Sequence, residues 1–308
     1  MKILLLGGNG QLGRTFLDDG GLAARGNLTA ASRDGVISWG GRGEIADLSN
    51  PDTLVAVLDR VQPEIIVNAA AYTAVDRAEE EPALADRVNG EAVGVIGAWS
   101  ASRGAKVIHY STDYVFDGSQ PSPYEVDAET RPLGAYGRSK LLGEKLLRDS
   151  GADHLILRTA WVYATHGQNF LRTMLRLGSD REELRVVADQ HGAPTDTSLI
   201  VKGSLAALDR WTTPGENLIG GTHHLVASGG TTWHGFADAI FEQAAASRVI
   251  VKRPRVTPIS STDFPTAAMR PAWSLLDNSE FQQKFQFSLP DWQSGLKRII
   301  SEMAHSAN

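Results

Sequence analysis

The stretch KILLLGGNGQLGRTF, which runs from Lys2 to Phe16, decides the fold of this chain. Its apolar run Ile3–Leu6 is too short for a helix and is typical of a strand that is covered on both faces. Three glycines, Gly7, Gly10 and Gly13, end the run, and a helical spacing of apolar residues begins across the last of them. We therefore predict a buried strand, a sharp turn and a helix, in that order.

The three glycines form the pattern G-x-x-G-x-x-G, a relative of the dinucleotide-binding fingerprint. Glycine at these positions permits a sharp turn, lets the backbone approach a pyrophosphate and lets the helix pack closely on the sheet. The helix that follows points its free N–H groups and the positive end of its dipole at that phosphate. A plain strand–turn–helix also uses glycines, so the motif indicates a cofactor site only together with the features below.

Composition excludes several classes of protein. The 308 residues are 42% hydrophobic and 21% charged, which suits one large domain or two unequal ones. A net charge of −6 without a basic block argues against nucleic acid as a partner. The chain has no cysteine, which excludes disulfides, thiolate metal sites and thiol nucleophiles. No apolar run approaches the roughly 18 residues of a membrane helix, so we expect a cytoplasmic protein that does not bind membranes.

Strands alternate with helices through the first half of the chain. The expected strands are Ile3–Leu6, Leu28–Ala31, Glu64–Asn68, Lys106–Tyr110 and Leu155–Arg158, and the expected helices between them include Leu54–Val61, Pro82–Gly104 and Ala135–Leu147. This alternation predicts an α/β fold with a Rossmann-type, doubly wound parallel sheet.

A smaller C-terminal α/β domain for the substrate is expected from the later elements, a strand at Arg185–Val187, helices at Ser198–Leu208 and Trp233–Ala246, and a strand at Val256–Ile259. We divide the chain into an NAD(P)-binding domain, 1–160, to which some later segments return, and a mainly substrate-binding domain, 161–308. The small polar residues of Glu302–Asn308 suggest a frayed end.

The end of the second strand bears on the choice of cofactor. In this fold an acidic residue there holds the 2′-hydroxyl of NAD, whereas an arginine suits the 2′-phosphate of NADP. Ser32-Arg33-Asp34 places the arginine first, which favours NADPH and leaves NADH as an alternative. A charged turn without a ligand is the other interpretation.

Candidate catalytic residues follow the fourth strand of the expected sheet. Ser111, Thr112 and Asp113 lie at its carboxyl end, where open α/β sheets place their ligands. Tyr136 and Lys140 are four residues apart in a predicted helix and therefore share one face. A nearby lysine cation favours the phenolate and lowers the tyrosine pKa from its usual value of about 10. A threonine hydroxyl can polarise a substrate carbonyl. Alone, this Tyr-Lys pair is more typical of two surface residues one helical turn apart.

This combination resembles the extended short-chain dehydrogenase/reductases and, within them, the dTDP-4-dehydrorhamnose reductase family. The segments that carry the resemblance are Val67–Asp76, His109–Phe116, Arg158–Tyr163, Asn169–Leu177 and Asp189–Thr195. It covers residues 1 to about 200 and continues only in Arg270-Pro271 to Ser274 and in Leu276-Asp277.

The resemblance implies that Thr112, Tyr136 and Lys140 are the catalytic residues and that Thr112, Asp113 and Trp161 contact the substrate. Taken with the glycine motif and the second strand, it implies a cofactor site formed by Gly7, Gly10, Gln11, Leu12, Gly13, Ser32, Arg33, Asp47, Leu48, Ala71, Tyr72, Thr73, Tyr110, Tyr136 and Lys140. Judged by itself, Trp161 is typical of a core residue just past a strand. Two positions depart from the family: Ala31-Ser32-Arg33 replaces a frequent acidic end of the second strand, and Tyr72 stands where histidine is frequent.

The implied reaction is reduction of the C4 ketone of dTDP-4-dehydro-6-deoxy-L-mannose to dTDP-L-rhamnose by hydride transfer from NADPH. Other nucleotide-sugar reductases or epimerases on the same scaffold, or a non-catalytic NADP-binding regulatory subunit, are the alternatives. The partner is thus a nucleotide sugar, and the protein is expected as a monomer or homodimer. Some relatives use Mg²⁺ at a subunit contact, but no ligand set is identified here. We interpret the histidines His109, His191, His223 and His224 as structural or surface residues.

Overall fold

The computed structural model describes residues 1–38, 41–215 and 220–306. Ala307 and Asn308, the end of the segment whose order the sequence leaves open, lie outside the described residues. Within the described ranges, no helix combines the length and apolarity needed to cross a membrane.

The strands, in chain order, are β1 (Lys2–Leu6), β2 (Asn27–Ser32), β3 (Val36–Ile37), β4 (Gly41–Arg42), β5 (Glu44–Ile45), β6 (Ile65–Asn68), β7 (Lys106–Thr112), β8 (His154–Thr159), β9 (Val162–Tyr163), β10 (Glu183–Val187), β11 (His191–Gly192), β12 (Thr195–Asp196), β13 (Gly221–His224), β14 (Thr231–Thr232) and β15 (Arg255–Ile259).

The helices are α1 (Gln11–Asp19), α2 (Gly21–Arg25), α3 (Pro51–Val61), α4 (Arg77–Glu80), α5 (Pro82–Asp86), α6 (Ala92–Arg103), α7 (Ala135–Asp149), α8 (Phe170–Asp180), α9 (Thr197–Thr212), α10 (Trp233–Ala246), α11 (Ser279–Phe285) and α12 (Trp292–Ser306). A π-helical turn, Arg87–Glu91, joins α5 to α6, and single 3₁₀ turns cover Asp113–Val115 and Ser261–Asp263.

In the described part of the chain, seven strands form one sheet in the order β13-β8-β7-β6-β1-β2-β5, with parallel pairing throughout. The predicted α/β fold with a doubly wound parallel sheet is confirmed. The order of the chain reverses between β1 and β6, so a crevice opens beyond the carboxyl ends of these two strands. Doubly wound sheets bind their ligands at such a crevice.

Side chains of β1 alternate between two hydrophobic cores, one on each face of the sheet. Ile3 and Leu5 belong to the core that contains Phe16 of α1, whereas Leu4 and Leu6 belong to the opposite core. All four residues have no exposed surface, as expected for a strand covered by helices on both faces. Burial of each side chain stabilises the fold by about 1.5–3 kcal/mol.

The later half of the chain forms small two-stranded sheets, β10 with β15, β11 with β14 and β12 with β9. One strand from this half, β13, returns to the edge of the large sheet beside β8. The division of the chain at residue 160 stays a prediction. That prediction expected some later segments to return to the first domain, and β13 does so.

Some predicted boundaries differ from the structure. The helix expected over 82–104 is interrupted by the π-helical turn, and β7 continues to Thr112 because Ser111 and Thr112 still pair with β8. The expected fraying from Glu302 is wrong as far as Ser306. Here α12 continues because Met303 packs against the hydrophobic core, as Ile299 does one turn earlier.

Candidate active site

Three glycines build a cradle at the carboxyl end of β1. Gly7 has a φ of +83°, and a Cβ added there would lie 2.6 Å from the backbone nitrogen of Ala70. A Cβ on Gly13 would lie 2.1 Å from the carbonyl oxygen of Gly7. The first turn of α1 therefore sits directly against the turn that leaves β1, and its N-terminal N–H groups face the crevice. These features fit the pyrophosphate of a dinucleotide.

Gln11, the first residue of α1, is held by the second half of the chain. Asn169 Nδ2 donates to its side-chain oxygen over 2.7 Å, and a ring nitrogen of His166 lies 3.0 Å from its carbonyl oxygen. Leu12 is buried in the core beside Phe16, so only its backbone is available to a cofactor. The sequence motif identified Gln11 but not its partners His166 and Asn169.

The end of β2 presents Arg33 to solvent. Ser32 is buried, and its hydroxyl lies 3.0 Å from both Asp34 Oδ1 and the carbonyl oxygen of Val36. Hydrogen bonds from the Val36 N–H and from Ser32 lower the pKa of Asp34, so this carboxylate is engaged within its own turn. Asn9 of the glycine loop reaches the same turn and donates to the Val36 carbonyl over 2.7 Å. Arg33 is exposed and positively charged, so its side chain is the one in this turn that can bind a phosphate.

Two other predicted cofactor residues lie after β5. Asp47 accepts hydrogen bonds from the N–H (2.9 Å) and hydroxyl (2.7 Å) of Ser49. Leu48 is buried in the second core. Both residues therefore shape the loop before α3, and their contact with a cofactor remains a prediction.

The loop Ala71–Thr73 is fastened to the catalytic helix by Asn89, which the sequence reasoning missed. Asn89 Oδ1 accepts from the N–H of Tyr72 over 2.8 Å, while its Nδ2 lies 3.0 Å from both the Tyr72 carbonyl and Ser139 Oγ. Asn89 lies in the π-helical turn and is 1% exposed. A buried polar side chain needs such partners. No sequence signal pointed to Asn89; in the fold, its backbone packs closely on α7, where a Cβ on Gly143 would lie 2.1 Å from the Asn89 carbonyl oxygen.

The structure brings Thr112 and Tyr136 together. Thr112 ends β7, and its hydroxyl donates to Asp113 Oδ1 over 3.0 Å. Tyr136 lies in the first turn of α7, and its phenol is near enough to the Thr112 hydroxyl for that hydroxyl to lower its pKa. Close packing of α7 places it there, since a Cβ on Gly137 would lie 2.2 Å from the carbonyl oxygen of Tyr114.

Burial raises the pKa of Tyr136 to about 12; the hydrogen bond with Thr112 lowers it and the charge of Asp113 raises it further. Burial is the largest influence on this pKa, and a lowering by Lys140 stays a prediction. The ammonium group of Lys140 donates to the Tyr110 carbonyl over 2.6 Å. At neutral pH the phenol is thus protonated, which is the form that can give a proton to a substrate.

Lys140 is 2% exposed, and burial lowers its pKa to about 8. Its Nζ lies 3.4 Å from Nε2 of His109, whose Nδ1 is 3.1 Å from the Asn68 amide. Burial lowers the pKa of His109 well below its usual value, so this histidine is neutral and structural. The ring of Tyr110 lies in the core, where its hydroxyl contacts Ser204 over 2.7 Å. Tyr110 contacts the active site through its backbone carbonyl oxygen, which accepts the hydrogen bond from Lys140.

Asp113 is 2% exposed, and burial raises its pKa to about 6. Among the described residues, its Oδ2 atom has no hydrogen-bond partner, and the nearby Ser274 hydroxyl lowers the Asp113 pKa without offsetting burial. A buried carboxylate oxygen without a partner is costly, which favours a substrate hydroxyl as its ligand.

Trp161 lies just after β8 with a φ of +46°, a left-handed conformation that is strained for a bulky residue. Its indole stacks on Trp233 with ring centroids 3.5 Å apart and planes 4° apart. A Cβ on Gly192 would lie 2.3 Å from the same indole. Trp161, which is predicted to contact the sugar, is therefore flanked by Trp233 and Gly192. The sequence did not indicate either of these neighbours.

Across residues 1–38, 41–215 and 220–306, no group of three or more His, Asp or Glu side chains is arranged to hold a metal ion. His224 is fully buried, with Nδ1 3.0 Å from the Asp277 carbonyl oxygen, and burial lowers its pKa to about 3. His223 lies 3.5 Å from a carboxylate oxygen of Glu280.

A family model described as the RmlD substrate binding domain matches residues 1–305. The dTDP-4-dehydrorhamnose reductase of Burkholderia thailandensis is 45% identical over 309 aligned positions, covering 98% of this chain and 99% of that protein. The enzyme of the same name from Escherichia coli K12 is 44% identical, with 98% of each chain covered.

Solved structures agree with this likeness. A dTDP-4-dehydrorhamnose reductase from Clostridium acetobutylicum superposes with a TM-score of 0.86 at 32% identity, covering 98% of this chain and 99% of the other. One from Bacillus anthracis, solved in complex with NADP, gives 0.84 at 32% identity and covers 98% and 100%. A UDP-glucose 4-epimerase from Thermus thermophilus, at 19% identity and a TM-score of 0.79, shares the fold alone. By a family model that spans nearly the whole chain and by relatives above 40% identity, this chain belongs to the RmlD family of dTDP-4-dehydrorhamnose reductases.

Proposed function

We propose that this protein reduces the C4 ketone of dTDP-4-dehydro-6-deoxy-L-mannose to dTDP-L-rhamnose with NADPH. The observation that carries the proposal is the pairing of a protonated Tyr136 with Thr112 at the carboxyl end of β7, two strands from the glycine cradle. Relatives that match along the whole chain bear the name of this reaction.

The residues present fit a dinucleotide. The turn Gly7–Gly13 would receive the pyrophosphate at the start of α1, and Arg33 would meet the 2′-phosphate. NADP is bound in the Bacillus anthracis relative. When bound, NADPH supplies the hydride for C4 of the sugar.

Side chains of this protein donate the proton and stabilise the negative charge that develops on the ketone oxygen. Thr112 hydrogen-bonds the ketone oxygen as negative charge develops on it. Tyr136 donates its phenolic proton to that oxygen, which completes the alcohol. The Lys140 cation, which is largely protonated at pH 7, then stabilises the phenolate until Tyr136 recovers a proton from solvent. Asp113 and Trp161 orient the sugar.

A cytoplasmic location and a monomeric or homodimeric state complete the proposal.

The test follows the loss of NADPH absorbance with enzymatically generated dTDP-4-dehydro-L-rhamnose and repeats it with NADH. We expect rapid oxidation, dTDP-L-rhamnose as the product, and a higher kcat/KM with NADPH because Arg33 rather than an acid follows β2. Binding of NADPH without turnover would overturn the proposed reaction. A panel of other nucleotide 4-ketosugars would then identify a different reductase or epimerase, and inactivity on all of them would indicate a regulatory subunit.

A further inference from the structure

A segment far from the catalytic residues in sequence packs against the loop that follows β7. We call residues 266–277 the strap. It hydrogen-bonds to both halves of the molecule: the His191 N–H donates to the Ala272 carbonyl over 2.8 Å, and the Tyr124 N–H donates to the Leu275 carbonyl over 2.8 Å. A Cβ on Gly118, in the loop after β7, would lie 2.6 Å from Pro271. The strap thus packs directly on the loop that carries Thr112 and Asp113.

One end of the strap is clamped by Asp76, in the loop after β6. Arg270 donates to both oxygens of this carboxylate, over 3.1 Å to Oδ1 and 2.7 Å to Oδ2. The N–H of Ala268 donates to Oδ1 over 3.1 Å, and Arg270 also reaches the Ala268 carbonyl over 3.1 Å. The Arg270 side chain is 20% exposed. This bidentate pair joins residues 194 positions apart, and its two parallel hydrogen bonds fix the guanidinium more specifically than a single contact would.

The same guanidinium contacts a residue of the active site. The Arg270 guanidinium lies close to the phenol of Tyr114, which is two residues after Thr112, and the two groups interact electrostatically. Burial raises the pKa of the Tyr114 phenol, as does the charge of Asp113, whereas Arg270 lowers it. The Tyr114 ring in turn packs edge-on against Tyr136, with centroids 5.8 Å apart and planes at 80°. A continuous line of contacts therefore leads from Asp76 through Arg270 and Tyr114 to the proton donor.

We propose that Arg270, held by Asp76, is a positioning residue that fixes Tyr114 and thereby the orientation of the Tyr136 phenol. This inference rests on the proposed reductase function. Two edge-to-face rings such as Tyr114 and Tyr136 have a preferred geometry. The Tyr136 hydroxyl must stay oriented toward the ketone oxygen for proton transfer. A clamp with a purely structural role would affect stability and leave the chemical step unchanged.

The test compares Arg270→Met, which keeps the aliphatic stem, with Tyr114→Phe, which keeps the ring and removes only the hydroxyl. We expect each to lower kcat by about tenfold, and the double variant to lose about tenfold rather than a hundredfold, because both break one line of contacts. The dissociation constant for NADPH and the KM for the sugar should stay within about twofold of the wild-type values.

Arg253→Met is the matched control. Arg253 forms a 2.7 Å ion pair with Asp238, and both side chains are more than two-fifths exposed. Its kcat should equal that of the wild type. Unchanged kcat in Arg270→Met, or losses that multiply in the double variant, would overturn the proposal even if the thermal midpoint falls.

A second measurement needs no turnover. Hydrogen exchange at the amides of 135–140 should become faster in Arg270→Met than in Arg253→Met, because the start of α7 loses its hold on Tyr114. If wild-type protein fails to oxidise NADPH with the sugar, the proposed function fails, and equal exchange in the two variants would separately refute the clamp.

Discussion

The cofactor side of the crevice and its sugar side are assembled from residues at very different separations along the chain. The cofactor side begins with Gly7, Gly10 and Gly13, which lie within seven residues of sequence and need only backbone geometry. The sugar side joins Trp161 to Trp233 and Asp76 to Arg270, pairs that come together only in the folded protein. The proposed cofactor side therefore starts from a local motif, whereas the proposed sugar side depends on long-range contacts alone. The catalytic residues Thr112 and Tyr136 lie between the two.

The largest effect is expected at this junction. Tyr136→Phe removes the proton donor, so kcat should fall by about 10²–10⁴-fold while NADPH binding is unchanged. Stopped-flow turnover and a fluorescence titration with NADPH check the two parts. Near-normal turnover would mean that another group protonates the ketone.

Gly7→Ala should damage the cofactor side alone. The new Cβ would meet the backbone at Ala70 and also force a non-glycine residue to φ +83°, at a cost of about 1–3 kcal/mol in stability. We expect the dissociation constant for NADPH to rise at least about tenfold as the cradle shifts. Gly104→Ala is the control, since that glycine also has a positive φ, +68°, but nothing lies within 4 Å. It should lose some stability and keep its affinity for NADPH.

Asp113→Asn tests the electrostatics on the sugar side. The folded pKa of Asp113, about 6, is above the unfolded value, so its contribution to stability is fully present below the unfolded pKa and is lost as pH rises through 6. Asparagine does not titrate. Relative to wild type, the variant should therefore gain about 1–3 kcal/mol in unfolding free energy between pH 4 and pH 7. Urea unfolding at both pH values measures this, and an equal difference at both would contradict the raised pKa.

The smallest effect is expected for Trp233→Leu. Loss of the stacking partner frees the Trp161 indole, so the KM for the sugar should rise by about threefold to tenfold. The affinity for NADPH should not change, because Trp233 lies on the sugar side. A change confined to NADPH binding would break the distinction between the two sides.

Much of the cofactor side could be predicted because its signals are local and periodic. The apolar run Ile3–Leu6 predicts a buried strand, and the glycines after it predict a tight turn. The orientation of Tyr110 could not be predicted, because its ring meets Ser204 of α9 and its carbonyl oxygen meets Lys140 of α7 only in the folded protein. The same holds for Asn89, whose partners Tyr72 and Ser139 lie 17 and 50 residues away.

By itself, the sequence determined the α/β class, the glycine cradle and the candidate catalytic residues Thr112, Tyr136 and Lys140, because each depends on residue type and short spacing. Only the tertiary structure decided which group each side chain meets. It placed the Lys140 ammonium group on the Tyr110 carbonyl oxygen. It buried the Tyr136 phenol, and burial keeps that phenol protonated. It also joined Arg270 to Asp76. Protonation and orientation depend on the dielectric and on neighbours distant in the chain, and these exist only after folding.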